Sequence, residues 1–265
     1  MLLQLLRPTW IKIIFLAEWL IFILITWFQG GLDSRRQALI AAYPLLFFYA
    51  IGGVFEIVSR KTRQIARGWR LLLTAVGLAL FDHAIKLWVA TFIPYRTARP
   101  LIPGWLNLAH NCNFQGSWVF SQLDVPAVNL IPLSITAFFM LSCSWFGHRY
   151  YVACQRTSLW ADVAFLSVFA GLLSWLIEMP LRGHIVDFLC LPNMVTADLK
   201  DIYLTIGIAA IFVETLDNPG LSRSWQGGRQ ELVNLTQLAK DVVAFSRQDL
   251  RDSWRKLTRQ NNLEG

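Results

Sequence analysis

The sequence lacks any cysteine pattern that would indicate a metal or redox site. It contains four cysteines, none in a Cys-x-x-Cys spacing, and no cluster of His, Cys, Asp and Glu with metal-ligand spacing. We therefore expect neither a metal nor a cofactor. Cys143 and Cys154 are interpreted as helix-packing residues or cytoplasmic thiols. Cys112 and Cys190 fall in loops on the same predicted side, so a disulfide between them is geometrically possible, but the sequence does not favour one.

Other absences narrow the function further. No nucleic-acid-binding motif is present, so the net charge of +7 is interpreted mainly as a membrane-topology signal, with attraction to anionic lipid headgroups as a second candidate contribution. No internal repeat stands out. The first apolar run is too long for a removable signal peptide and lacks a small-residue cleavage site.

Long apolar runs are what the sequence has in abundance. It is 55% hydrophobic and contains twelve tryptophans. Because about 20 apolar residues cross the hydrocarbon core of a bilayer, such runs predict membrane helices. The runs lie at roughly 10–28, 38–58, 70–93, 128–147, 159–179 and 201–216. We therefore predict an all-α polytopic membrane protein with about six transmembrane helices.

The basic residues of the short loops predict the orientation. Loop 59–70 has five basic residues and no acid, and loop 148–158 has Arg149 and Arg156 and no acid. Because Lys and Arg accumulate in cytoplasmic loops, both loops are expected to face the cytoplasm. Six spans then place both termini in the cytoplasm and the loops near Asp187 outside.

The chain divides into three predicted regions. Residues 1–69 form an N-terminal pair of transmembrane helices without polar motifs. Residues 70–216 contain four spans and all the candidate functional residues, and residues 217–265 form a cytoplasmic tail with apolar residues at helical spacing. This spacing predicts an amphipathic helix, which either lies on the membrane surface or packs on the protein itself. The outward segment 94–127 mixes breakers with β-prone residues and predicts a small extracytoplasmic β element.

Two aspartates are the strongest functional signal. Asp187 follows the fifth predicted span and Asp201 begins the sixth, so both lie at the same membrane face. Buried carboxylates beside a bilayer are costly and usually functional. A protonated and an ionised carboxyl group together suit acid/base activation of water. One aspartate at a helix start is often only an N-cap, and Asp198 competes with Asp201 for either role.

Asp82 and Lys86 lie four residues apart, so they share one face of the third span. They form either a structural ion pair with a neighbouring helix or a pair that positions the outward loop or a substrate. Glu18, an acid within the first span, is expected to meet Ser, Thr or backbone groups of a neighbouring helix.

In the outward loop, Asn113, Gly116 and Ser117 belong to a compact polar patch. Asn side chains can hold the backbone amides of an extended peptide, and Gly permits a close approach. An ordinary polar turn would look the same in sequence, so the patch alone does not decide its function.

Taken in order, these pieces resemble the lipoprotein signal peptidases (signal peptidase II). The resemblance covers residues 70–216, and each short motif gains specificity from the order and the predicted membrane side of all four. The motifs are Phe81-Asp82-His-Ala-Ile-Lys86, Ile102-Pro-Gly-Trp-Leu-Asn-Leu108 with Asn113-Phe-Gln-Gly116-Ser-Trp-Val-Phe120, Gly183-His-Ile-Val-Asp187-Phe188 and Asp201-Ile-Tyr-Leu-Thr-Ile-Gly207.

The resemblance implies a catalytic dyad of Asp187 and Asp201 in a membrane aspartic endopeptidase of the bacterial inner membrane. Asp201 is preferred to Asp198 because the family's Asp-to-Gly spacing of six fits Asp201 to Gly207, whereas Asp198 stands where the family usually has Asn. The resemblance further implies that the polar patch and the Asp82/Lys86 pair serve the substrate. That substrate is a lipid-modified precursor protein, met among membrane lipids, and nucleic acid is not an expected partner.

The sequence also departs from the family's pattern. The family's Gly-Asn-x-x-Asp-Arg stretch reads here as Ser174-Trp175-Leu-Ile-Glu178-Met179, so the supporting Asn and Arg are replaced. Lys200 stands beside Asp201 where a small residue is usual. A noncatalytic relative that binds lipoproteins or lipids therefore stays open as an alternative. A transporter subunit is the least favoured reading, because the acids cluster at one face and no repeat is found.

Overall fold

The apolar runs form long helices in a computed structural model of the chain, which describes residues 5–32, 34–66, 68–114, 130–154, 157–218 and 240–252 and positions 237, 254 and 255. Each predicted span corresponds to one helix, with ends that differ by up to about two turns. The helices are α1 (Trp10–Phe28), α2 (Arg35–Lys61), α3 (Trp69–Phe92), α4 (Leu130–Cys154), α5 (Leu159–Arg182) and α6 (Leu199–Asp217).

Length and composition support a membrane location for most of the bundle. Within the described part of the chain, α1, α2, α3 and α5 are long and apolar enough to cross a bilayer. The predicted fold class, a helical membrane protein with a small β element, is confirmed, and the number of about six spans stays a prediction.

The β element is a four-stranded antiparallel sheet at one end of the helices. Its strands are β1 (Ala98–Ile102), β2 (Leu106–Asn113), β3 (Ile185–Leu191) and β4 (Val195–Ala197), paired in that order. Segment 94–127 supplies β1 and β2, as predicted. We did not predict β3 and β4, and they place Asp187 in a strand between α5 and α6.

The strand register separates the two outward cysteines. Cys112 pairs with Val186 and Cys190 pairs with Asn107, so the two cysteines lie near opposite ends of the β2–β3 ladder. Five residues of strand span roughly 17 Å, well beyond the Cα separation of about 7 Å that a disulfide tolerates. All four thiols are free.

The ends of α5 and α6 bracket the segment that carries β3 and β4. Gly183 terminates α5 with φ of 71°, a left-handed conformation that glycine adopts without a steric penalty. Asp198 caps α6, and its side chain accepts a hydrogen bond from the Asp201 backbone N–H. Two local signals thus fix where the chain leaves and re-enters the bundle.

Two glycines let α5 and α6 pack with their backbones close together. A Cβ at Gly207 would lie 2.7 Å from Val168 Cγ2, and one at Gly171 would lie 2.8 Å from Leu204 Cγ and 3.2 Å from the Lys200 carbonyl oxygen. This close approach gives the predicted Asp201-to-Gly207 spacing a physical reason, because the glycine faces α5 while the aspartate sits at the helix start.

The N-terminal pair packs against the rest of the bundle through α1. Phe15 is fully buried beside Trp160 of α5 and Val213 of α6, with its ring centroid 6.1 Å from that of Trp160. Nearer the sheet, Phe22 packs against Val195 of β4. The pair therefore contacts both helices and sheet, and the division into three regions stays a proposal.

Residues 240–252 form a helix in the predicted tail. Phe245 packs edge-to-face on Tyr150 at a centroid distance of 5.7 Å, and Asp249 pairs with Arg149 at 2.5 Å. This part of the tail therefore packs on α4, which was one of the two alternatives. The predicted apolar positions Leu232, Leu235 and Leu238 lie outside the described residues.

Candidate active site

Three buried aspartates meet at the end of the bundle that carries the sheet. Asp187 lies on β3, while Asp198 and Asp201 lie at the start of α6, and all three offer carboxylate oxygens within 4.8 Å of one another. Their exposed fractions are 3%, 0% and 5%. The structure thus brings together the two aspartates singled out from the sequence and adds Asp198 to them.

Asp187 is held by the neighbouring strand. Because β2 and β3 pair antiparallel, the end of β2 lies beside Asp187, and the Asn113 side-chain amide donates to Asp187 Oδ2 at 2.9 Å. Asp187 Oδ1 is buried without a hydrogen-bond partner among the described residues. Burial raises the pKa of Asp187 well above its usual value, although the Lys200 charge opposes the shift. A carboxyl group in this setting favours its protonated form.

Asp198 and Asp201 form a reciprocal capping box at the start of α6. Asp198 Oδ1 accepts from the Asp201 backbone N–H at 3.1 Å, and Asp201 Oδ2 accepts from the Asp198 backbone N–H at 3.3 Å. The N-cap role that either residue could have filled therefore belongs to Asp198. This assignment leaves Asp201 in the first turn, with its carboxylate beside Asp187.

Lys200 brings a positive charge into the same cluster. Its ammonium lies 3.1 Å from Asp198 Oδ1 and 3.0 Å from Asp201 Oδ1, and the side chain is 1% exposed. Three carboxylates at this spacing offer the oxygen ligands that a hard cation prefers. Here the lysine already meets the negative charge of two of them, so the donor set fits an internal ammonium better than a metal ion.

Behind the aspartates lies a second buried cation, Lys86. Its ammonium contacts Asp82 at 2.8 Å, Glu178 at 2.7 Å and Asp198 at 2.6 Å, and the side chains of all four residues are 0% exposed. The Ser174 hydroxyl also donates to Asp82. The geometry favours the structural reading of the Asp82/Lys86 pair, because full burial among helix partners leaves neither side chain a surface for direct substrate contact.

Glu178 is the residue that the sequence reading missed. Besides pairing with Lys86, its Oε1 accepts from the Val186 backbone N–H at 3.0 Å and lies 3.4 Å from Arg182 Nη1. Glu178 therefore ties the start of β3, one residue before Asp187, to helix α5. An acid inside an apolar span is itself a functional signal, and this signal could have singled out Glu178.

Comparisons with known proteins now bear on this arrangement. The profile described as Signal peptidase (SPase) II matches residues 74–217, which is more than half of the chain. The chain belongs to the signal peptidase II family. The three aspartates, Asp82, Glu178 and the two buried lysines all lie inside the matched region, whereas α1, α2 and the tail lie outside it.

Individual relatives support the same family. The lipoprotein signal peptidase of Sinorhizobium fredii is 23% identical over 172 residues, which cover 63% of this chain and 98% of that protein. Those of Staphylococcus haemolyticus and Staphylococcus aureus are 25% and 26% identical over 150 residues, which cover 55% of this chain and 89% and 86% of those proteins. Family and apolar helices together make this chain a multi-pass protein of the bacterial inner membrane.

A solved bacterial membrane enzyme has a similar fold. It is 22% identical, superposes with a TM-score of 0.50, and the match covers 63% of this chain and 98% of the solved one. At this level of identity the likeness concerns the fold of the matched part alone.

The residues that depart from the signal peptidase II pattern belong to the hydrophobic core. Trp175 and Met179, at the positions of the pattern's Asn and Arg, are 8% and 1% exposed and pack with Ala137 and Ile185. Apolar side chains thus support the start of β3, while Asn113 supplies an amide to Asp187 from another direction. Gly116 and Ser117, predicted to hold the substrate, lie outside the described residues.

Proposed function

We propose that this signal peptidase II relative is an aspartic endopeptidase that removes signal peptides from lipid-modified prolipoproteins, with Asp187 and Asp201 as the catalytic dyad. The observation that carries the proposal is the convergence of these two buried carboxylates at one end of the bundle. A pair of acids at one membrane face suits hydrolysis of a precursor whose acyl chains remain in the bilayer.

The surroundings of the two carboxylates support different roles for them. Asp187 is buried, its pKa is raised, and Oδ1 has no partner among the described residues, so it can donate its proton to the scissile carbonyl oxygen and recover it when the tetrahedral intermediate collapses. Asp201 lies 3.0 Å from the Lys200 ammonium, whose charge opposes the effect of burial and favours the ionised form that a base needs. The proposed base, Asp201, takes a proton from the attacking water and then passes it to the leaving amine.

Substrate contacts are assigned to the polar residues around the β2 end. Asn113 is proposed to orient Asp187 through the observed hydrogen bond and to face the peptide backbone together with Gly116 and Ser117. Asp82 and Lys86 are proposed to act indirectly, because the Lys86 ammonium contacts both Asp82 and Asp198 and holds the Asp198 carboxylate in place. The active site faces the outer side of the inner membrane and both termini are cytoplasmic, as the basic loops indicate.

The second candidate function is a noncatalytic relative that binds lipoproteins or lipids. The ion pair between Lys200 and Asp201 favours it, because a carboxylate engaged by an ammonium is a weaker base. The two candidates differ in one requirement, since a peptidase needs both carboxylates and a binding protein tolerates Asn at either position.

Cleavage of a diacylglyceryl-modified precursor by the purified full-length protein in detergent tests the proposal. We expect Asp187→Asn and Asp201→Asn each to lower kcat by about 10²- to 10⁴-fold, the usual contribution of an acid or base. Asp198→Asn is the matched control, because Asn also caps helices and the family pattern has Asn there. It should stay within about tenfold of wild type.

Melting temperatures of all variants accompany the assay, so that loss of folding is not mistaken for loss of chemistry. Substantial cleavage by either dyad variant would overturn the peptidase assignment of that aspartate. A folded wild type that binds the precursor without cleaving it would favour the noncatalytic alternative.

A further inference from the structure

Glu18 is an acid of the N-terminal pair that reaches the candidate active site from outside the matched family region. It lies on α1, and its side chain lines the same small cavity as Thr205, one turn beyond Asp201 on α6. The Thr205 hydroxyl in turn donates to the Asp201 carbonyl oxygen at 3.0 Å. The α1 acid therefore lies close to the first turns of α6, where Thr205 and the candidate base are found.

A small cavity joins the same groups. It has a volume of about 40 Å³, its polar lining comes from Glu18, Asp201 and Thr205, and its apolar walls include Trp19 and Phe48. Glu18 Oε2 is buried without a hydrogen-bond partner among the described residues. A cavity needs about 10–15 Å³ and two to four polar partners to hold a water molecule, and this one meets both conditions.

We propose that Glu18 is a positioning residue for the reaction, which orients Asp201 through Thr205 and a water molecule in this cavity. The inference rests on the proposed function and deepens it, because it makes the N-terminal helix pair part of the active unit. Trp19 fixes the same stretch of α1, since its indole N–H donates to the Ala41 carbonyl oxygen of α2 at 2.7 Å.

An acid in this position has a property that a purely structural contact does not need. A carboxyl group can exchange a proton with a water molecule beside Asp201, whereas an amide of the same size keeps the hydrogen bond but cannot titrate. The other charged groups around Asp201 are Lys200 and Asp198 beside it and Asp187 on β3. None of them is altered by a change at Glu18.

The kinetic test compares Glu18→Gln with wild type in the full-length protein, using the precursor cleavage assay. We expect kcat to fall about tenfold with KM unchanged, the usual size of an effect transmitted through a supporting partner. The acidic limb of the kcat profile should move to lower pH, because a neighbouring acid no longer opposes ionisation of Asp201. Thr205→Val should lower kcat similarly, and Thr205→Ser should restore it.

The matched control is Glu56→Gln, which removes an acid from the same helix pair. Glu56 pairs with Lys12 and Arg60 and accepts from Thr9, away from the cavity. Its replacement should leave kcat and the pH profile unchanged. If Glu18→Gln also leaves both unchanged while Asp201→Asn abolishes cleavage, the role of Glu18 is overturned and the peptidase stands.

A second measurement does not depend on cleavage. Melting temperatures of wild type, Glu18→Gln, Asp201→Asn and the double variant form a double-mutant cycle. Coupled side chains give non-additive shifts, which we expect, and additive shifts would overturn the inference even if the protein proved to be a binding protein.

Discussion

Buried or half-buried acidic side chains lie near both ends of α5 and α6, but their hydrogen bonding differs between the two ends. At the far end from the sheet, Asp162 accepts from the Ile65 backbone N–H at 2.8 Å and contacts His148 Nε2 at 3.0 Å. Glu214 there accepts from the hydroxyls of Tyr151 and Ser158. Each of these acids has partners for both carboxylate oxygens.

At the sheet end, acids outnumber the groups that could satisfy them. Two buried lysines, Lys86 and Lys200, pair with Asp82, Glu178, Asp198 and Asp201, while Asp187 accepts from the Asn113 amide. Among the described residues, Asp82 Oδ1 and Asp187 Oδ1 are buried without hydrogen-bond partners. Unsatisfied buried polar atoms are costly, and proteins retain them where a reaction or a ligand uses them. The contrast supports a structural role for the acids at the far end and agrees with the proposed chemistry at the sheet end.

Removing the Lys86 ammonium from the sheet end should have the largest effect on stability. Lys86→Met leaves three buried carboxylates without their shared ammonium, and breaking a buried ion pair from one side costs about 3–5 kcal/mol of unfolding free energy. We expect a large drop in the melting temperature in detergent. Adding Asp82→Asn should restore part of it. A variant with normal melting temperature and raised KM would instead show that Lys86 serves the substrate.

An equivalent change at the far end should cost less and leave the chemistry alone. Asp162→Ala removes the acceptor of the Ile65 N–H and the partner of His148, a loss of about 1–3 kcal/mol. Where the variant is folded, kcat should equal that of wild type. Asp162→Asn should recover most of the stability. A loss of kcat beyond tenfold in folded Asp162→Ala would end the distinction between the two ends.

The smallest expected effect on the rate is a shift in pH dependence at Lys200, although replacing this buried lysine should also lower the melting temperature. Burial raises the pKa of Asp187 and the Lys200 charge lowers it, so Lys200→Gln should raise that pKa further. Because Asp187 is proposed to act in its protonated form, the alkaline limb of kcat/KM should move to higher pH by about one unit. Lys200→Arg should not move it. If the alkaline limb does not move, the Lys200 charge has no effect on the dyad.

The sequence predicted the features that depend on local pattern. Helices follow from apolar runs of membrane-spanning length, and the meeting of Asp187 with Asp201 follows from span ends on one side. The contacts that complete the site do not follow from spacing, because Lys86 meets Glu178 92 residues away and Asn113 meets Asp187 74 residues away. Strand β3 was missed because its sequence Ile-Val-Asp-Phe-Leu-Cys-Leu lacks the alternation of apolar and polar residues that predicts a strand.

The close approach of the two helices at Gly171 helps to set the position of the site residues on α6. A Cβ at position 171 would lie 3.2 Å from the Lys200 carbonyl oxygen. The first turn of α6 therefore packs directly against the backbone of α5. The distance between Asp187 on β3 and Asp201 at the start of α6 therefore depends on how closely α5 and α6 pack. The substitution Gly171→Ala adds one methyl group at a position that contacts neither aspartate, and it would change the distance between them by moving α6 relative to α5.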